Sequence, residues 1–181
     1  MIVIRKATGK DLQTIHDMAQ VVFRHTYRDI LSPEQMEYMM DMMYSMPNLQ
    51  KQLEEGHNYY MAYMSPEPLI STGYEDDAPC GYVSVQYEGQ DADGIEVFHL
   101  HKIYVMPEAQ GRGVGQKLFQ TVIDHVREEV SSCQARIELN VNKFNSAVNF
   151  YEHMGMRVLL EEDFPIGNGF YKTDYIMGLD I

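Results

Sequence analysis

Between Leu100 and Phe119 the chain reads Leu-His-Lys-Ile-Tyr-Val-Met-Pro-Glu-Ala-Gln-Gly-Arg-Gly-Val-Gly-Gln-Lys-Leu-Phe. These residue types suit the binding of an anion. Gly111, Gly113 and Gly115 let the main chain approach a phosphate closely, and the helix that starts here offers unpartnered N–H groups and the positive end of its macrodipole. Spacing separates the loop from two other phosphate binders. A Walker A loop ends in Gly-Lys-Ser/Thr, whereas Lys117 follows Gln116 and precedes Leu118, and a dinucleotide fingerprint needs Gly-x-Gly-x-x-Gly, whereas these glycines alternate. A glycine-rich turn without a ligand is the remaining alternative. Just upstream, His99 and His101 share one strand face if no bulge intervenes, and an imidazole with a pKa of about 6.5 accepts a proton at neutral pH.

The elements that would hold these groups follow from periodicity. Ile95 to Met106 reads as a long strand feeding the loop, and Leu118, Phe119, Val122, Ile123, Val126 and Val130 give one face of a helix from Gly113 to about Val130. Ile137, Leu139 and Val141 alternate as the next strand. Strand, helix, strand implies a parallel pair with a right-handed crossover and places the loop at the carboxyl end of the first strand, where open α/β sheets bind ligands. Phe144, Ala147, Val148, Tyr151 and Met154 then predict a short helix stopped at Gly155. Met156 to Asp163 and Phe170 to Leu179 read as a closing hairpin.

Ahead of the loop, Ile2 to Ala7 is strand-like. Thr8 and Asp11 predict a capping box for a helix ending near His25 to Arg28, and Ser32-Pro33-Glu34-Gln35 predicts a second helix start. Met36, Met39, Met40 and Met43 form a stripe that is either core or an adaptable wall for a substrate or partner. A short helix over Asn48 to Glu55 stops at Gly56. Asn58 to Ser65 and Cys80 to Glu88 read as antiparallel strands, separated by a protruding acidic loop over Pro66 to Pro79.

A chain of 181 residues suits one domain, here 1–181, and its net charge of −13 argues against nucleic acid and anionic lipid as partners while favouring cationic ones. Cys80 and Cys133 give neither a disulfide framework nor a zinc spacing, so no metal is expected. With no leader-like segment at Met1 and no bilayer-length apolar run, a cytoplasmic protein is expected.

Taken together, Val105, Pro107 and Gln110-Gly111-x-Gly113-x-Gly115, followed by Asn142, Asn145, Ala147, Phe150-Tyr151-Glu152 and Gly155, resemble the two signature segments of the GNAT superfamily of acetyl-CoA-dependent N-acetyltransferases. Phe23, Thr26-Tyr27, Ser32-Pro33-Glu34, Phe164, Gly167, Asp174 and Ile176-Met177 further resemble the small bacterial polyamine N-acetyltransferases. The resemblance implies an α/β (α+β) fold: a mixed, mostly antiparallel sheet with a splayed parallel strand pair, flanked by about four helices. It implies coenzyme A contacts from the main chain of Ile103, Tyr104 and Val105, from Gln110, Gly111, Arg112, Gly113, Val114 and Gly115 around the pyrophosphate, and from Asn142 and Asn145.

The resemblance also sets Tyr151 near the sulfur, as the general acid for the departing thiolate. Related enzymes often carry a glutamate base on the central strand. His99 and His101 stand there instead and are candidates for that role or for the wall of the cleft. Tyr27 and Asp174 are candidates for the acceptor site. The expected activity is acetylation of a small cationic amine such as a polyamine. A protein N-terminal or lysine acetyltransferase and a non-catalytic acetyl-CoA-binding module are the alternatives. The Met-rich helix and the closing hairpin could each supply a homodimer contact.

Overall fold

In the computed structural model, which describes residues 1–64, 78–131 and 134–181, β1 (Ile2–Lys6) leads into the expected capping box. The Asp11 carboxylate accepts the Thr8 N–H at 2.7 Å and the Thr8 hydroxyl accepts the Lys10 N–H at 3.3 Å. The box caps one 3-10 turn, from which α1 (Leu12–Tyr27) continues. At α2 (Pro33–Tyr44), Ser32 Oγ accepts the Gln35 N–H at 3.2 Å and Pro33 takes the first turn, where its missing N–H costs nothing. The ion pair of Arg24 with Glu37 fastens α1 to α2. Then come α3 (Met46–Glu54) and the antiparallel strands β2 (Asn58–Met64) and β3 (Ala78–Gln90). Of the expected acidic loop, Ala78 and Pro79 belong to β3, and the rest lies outside the described residues.

The second half contains β4 (Glu96–Val105), α4 (Val114–Glu129), β5 (Ala135–Asn142), α5 (Ala147–His153), β6 (Arg157–Gly167) and β7 (Phe170–Asp180). All strands join one sheet in the order β1-β2-β3-β4-β5-β7-β6, antiparallel except for the β4–β5 pair. The mixed fold is therefore as expected, with five α-helices among the described residues where about four were expected. Among the described residues no helix is long and apolar enough to cross a membrane.

Each face of the sheet has its own core. On the back, Val114, Leu118, Phe119, Val122 and Val126 of α4 pack on Val83, Val85, Phe98, Leu100 and Ile137. Each of these side chains gains about 1.5–3 kcal/mol from burial. On the front, α1, α2 and α3 cover Tyr59, Met61 and Tyr82, and Tyr27, Tyr44 and Phe23 complete an aromatic cluster. Met36, Met39 and Met40 point into this front core, so the stripe is packing. β1 and β6 are the edges of the sheet, and β6 is exposed along most of its length.

One expectation fails locally. Phe144 is not part of a helical face, because α5 starts only at Ala147 and Phe144 is 71% exposed. The Asn142 and Asn145 side chains accept the N–H groups of Phe144 and Ala147, closing two Asx turns that replace the first helical turn.

Candidate active site

The site is built around an irregularity in β4. Ser84 of β3 faces Lys102, but the next residue, Val85, faces Leu100, so His101 is the extra residue of a β-bulge. Because of the bulge, His101 and Lys102 both turn to the front face. The bulge lies beyond His99, so His99 and His101 share a face as expected, their ring centroids 4.5 Å apart. At the same level β4 parts from its parallel neighbour. Its pairing with β5 ends at His99 opposite Glu138, although β4 runs on to Val105 and β5 to Asn142. The β5-facing main-chain groups of Leu100 to Val105 are thus left outside any ladder between these two strands, where buried N–H and C=O groups ordinarily find a partner.

A cleft of about 750 Å³ opens at this divergence. One end is the glycine loop. Gly113 caps α4 with φ +83° and Gly111 has φ +73°, conformations that cost a side-chain-bearing residue about 1–2 kcal/mol. At the first turn of α4 the N–H groups of Val114, Gly115 and Gln116 have no intrahelical acceptor. A Cβ on Gly115 would stand 3.4 Å from the Phe150 ring, so the loop is closely backed by α5. An open main-chain edge, a glycine cradle and a helix start in one cleft fit the arm and pyrophosphate of coenzyme A.

Most of the expected site residues line this cleft. Ile103, Tyr104, Val105, Gln110, Gly111, Gly113, Val114, Gly115, Asn145, Tyr151, Tyr27 and His101 all do so. Four do not. Arg112 turns its guanidinium to Met64 Sδ, 3.6 Å away on the far side of the loop. Asn142 is spent on its Asx turn, and His99 lies deeper on the sheet, with Nδ1 3.6 Å from Glu88. Asp174 is fully buried on β7 opposite Asn142; among the described residues its carboxylate oxygens accept no hydrogen bond, and Lys172 Nζ stands 3.1 Å away as an ion-pair partner.

The electrostatics of the cleft come mainly from burial. Tyr151 is held well above the usual phenol range by desolvation and by the nearby Tyr27, so it stays protonated at neutral pH. Among the described residues its hydroxyl has no hydrogen-bond partner. Tyr27 is likewise raised, and its hydroxyl lies 3.4 Å from that of Tyr104. Desolvation lowers His99 to about 4 and His101 to about 2, with Lys172 adding to both and Lys102 to His101. Both imidazoles are therefore neutral near pH 7.

Three contributors are invisible to periodicity. Lys102 is buried on the front face, where Nζ donates to Gln52 Oε1 at 2.7 Å and to the Tyr59 hydroxyl at 2.9 Å, and desolvation lowers it to about 7. Strict alternation would have put it on the back. His57 stacks on His101 with ring centroids 4.2 Å apart, and Gln86 Oε1 is 2.9 Å from His101 Nε2. These come from other elements, and no local spacing signals them. Among the described residues no group of three His, Cys, Asp or Glu side chains is placed to hold a metal ion.

Comparison with known proteins bears on the same region. A family model described as the acetyltransferase (GNAT) family matches residues 25–156. Among solved structures, the PaiA N-acetyltransferase from Thermoplasma acidophilum in complex with coenzyme A is similar, at 22% identity and TM-score 0.71 over 98% of each chain. The ribosomal-protein-S18-alanine N-acetyltransferase from Escherichia coli is 17% identical with TM-score 0.65, over 100% of this chain and 94% of that one. A GNAT-family acetyltransferase from Staphylococcus aureus is 16% identical with TM-score 0.66, over 98% of each chain.

Proposed function

The chain belongs to the acetyltransferase (GNAT) family and is an acetyl-CoA-dependent N-acetyltransferase, and on that premise we propose that its acceptor is a small cationic amine, a polyamine above all. The observation that carries the reading is the parting of β4 from β5 beyond His99, which opens a cleft between the glycine loop and the polar front of the sheet. The main chain of Ile103 to Val105 would hold the pantetheine arm, and the N–H groups from Gly111 to Gln116 would hold the pyrophosphate. When bound, acetyl-CoA supplies an acetyl group activated as a thioester and a thiolate leaving group.

The chain's own residues supply the proton chemistry. Tyr151, kept protonated by burial, donates a proton to the leaving sulfur, a role worth about 10²- to 10⁴-fold in rate. His101, a neutral imidazole on the cleft wall held far below the ordinary imidazole value, accepts a hydrogen bond from the neutral amine, whose proton leaves to water. His57 and Gln86 hold its ring in place. Tyr27 and Tyr104 form the wall on the α1 side, and Asp174 adds buried negative charge behind Tyr27.

The net charge of −13 and the cover formed by α1 and α2 support a small cationic acceptor over an extended polypeptide. A thiol-release assay with acetyl-CoA across polyamines, amino acids, aminoglycosides and peptides tests this. Turnover of polyamines is the expected result. Turnover confined to peptides would replace the acceptor with a protein amine, and thiol release with none of the panel would leave a coenzyme-binding module.

A further inference from the structure

Below the cleft, the front of the sheet carries an anion that the acetyl transfer itself does not use. At Glu88 β3 has an extra residue relative to β4: Tyr87 faces Phe98 while Gly89 faces Val97. The bulge leaves Glu88 beside the two histidines, with Oε2 3.6 Å from His99 Nδ1 and Oε1 4.0 Å from His101 Nε2. Neither ring neutralises it, because both are uncharged at neutral pH. Among the described residues no lysine or arginine pairs with Glu88, and its side chain is 43% exposed. Glu138 faces His99 from β5 and adds a second negative charge, which Arg136 shares 3.5 Å away. Lys172 and Lys102 act on the same histidines, but among the described residues neither pairs with Glu88, and a carboxylate without such a pair beside a like charge favours an incoming cation.

Geometry sets what kind of cation. Lys102, at the mouth of the divergence, and His99 are three residues apart on β4, or about 10 Å at roughly 3.3 Å per residue. A molecule with one amine at the thioester end of the cleft would reach Glu88 with a second amine across a short alkyl chain. The path runs past His101, which lines the cleft.

We propose that Glu88 is the docking point for the second ammonium of a di- or polyamine acceptor, and thereby a specificity determinant for chain length. The proposal rests on the amine-acceptor reading above. It gives the acceptor two anchor points, the reacting amine under Tyr27 and Tyr104 and the distal ammonium at Glu88.

The test compares the native protein with Glu88→Gln, an isosteric change at a half-exposed strand position, after thermal unfolding confirms that both are folded. kcat/KM is measured for linear diamines of graded length, for a triamine and for length-matched monoamines. Glu88→Gln is expected to cut the diamine-to-monoamine ratio of kcat/KM about tenfold or more, as for a lost charge-assisted contact, and to flatten the dependence on diamine length. Equal losses for both substrate classes, or none, would overturn the proposal. Calorimetric titration of the triamine into the coenzyme A-loaded protein separates the two readings. Binding that depends on Glu88 without acetylation would sink the acceptor assignment alone. Binding and turnover that ignore Glu88 would sink this inference alone.

Discussion

Asn145 Nδ2 donates to the Tyr27 hydroxyl across 3.4 Å, joining two residues 118 positions apart in sequence. One belongs to the segment that follows β5, on the side proposed for coenzyme A, and the other to the end of α1, on the side proposed for the acceptor. The contact couples the two halves of the cleft. Tyr27→Phe is expected to raise the acceptor KM severalfold and to loosen Asn145, so that acetyl-CoA affinity falls as well. Initial-rate kinetics in both substrates check this.

Tyr151→Phe removes the hydroxyl and keeps the ring that packs in the back core. The expected loss is about 10²- to 10⁴-fold in kcat, with little change in acetyl-CoA binding. Single-turnover measurements alongside calorimetry separate these quantities. A variant of native rate would remove Tyr151 as the acid.

Gly113→Ala forces a side chain into a left-handed conformation at the start of α4. A stability loss of about 1–2 kcal/mol is expected, together with weaker coenzyme A binding because the cradle shifts. Arg112→Ala, next to Gly113 in the same loop but with the side chain turned towards Met64, is expected to bind coenzyme A nearly as the native protein does. Parallel titrations of the two variants give the contrast.

The histidines make stability depend on acid. His57 and His99 are lowered to about 4 and His101 to about 2, so between pH 6.5 and those values the unfolded chain binds more protons than the folded one. Stability from these groups is complete above about pH 6.5 and is lost progressively as the pH falls towards 4 and below. The urea midpoint should drop over that range, and replacing His99 and His101 with Asn should shrink the drop.

Lys102 acts on the opposite side of neutrality. Its value of about 7 in the folded protein lies below the ordinary lysine value of 10.5, so the unfolded chain holds the extra proton between the two. Stability should rise as the pH goes from 7 towards 10, and Lys102→Met should abolish the rise. Urea unfolding at fixed ionic strength measures it.

The order of elements was legible because each depends on local chemistry. Ser32 and Pro33 do start α2, Gly113 does begin α4, and the alternation of Ile137, Leu139 and Val141 does mark a buried strand. The family resemblance located the cleft for the same reason, since loop and helix start are contiguous. What escaped was set by register. A single extra residue at His101 rotated Lys102 to the front, and nothing in the alternation of β4 announces it. Glu88 and His57 meet the histidines only through pairing and packing between elements far apart in sequence. Phe144 was misread because two asparagine side chains out-competed the helix for its first N–H groups.

The aromatic cluster under α1 and α2 has a spectroscopic consequence. The chain has 13 tyrosines and no tryptophan, so its intrinsic ultraviolet emission is tyrosine emission alone. Tyr27, Tyr104 and Tyr151 line the cleft. A ligand that enters there alters the surroundings of these emitters with no indole to drain their excited states, and the native protein can report its own occupancy without a label.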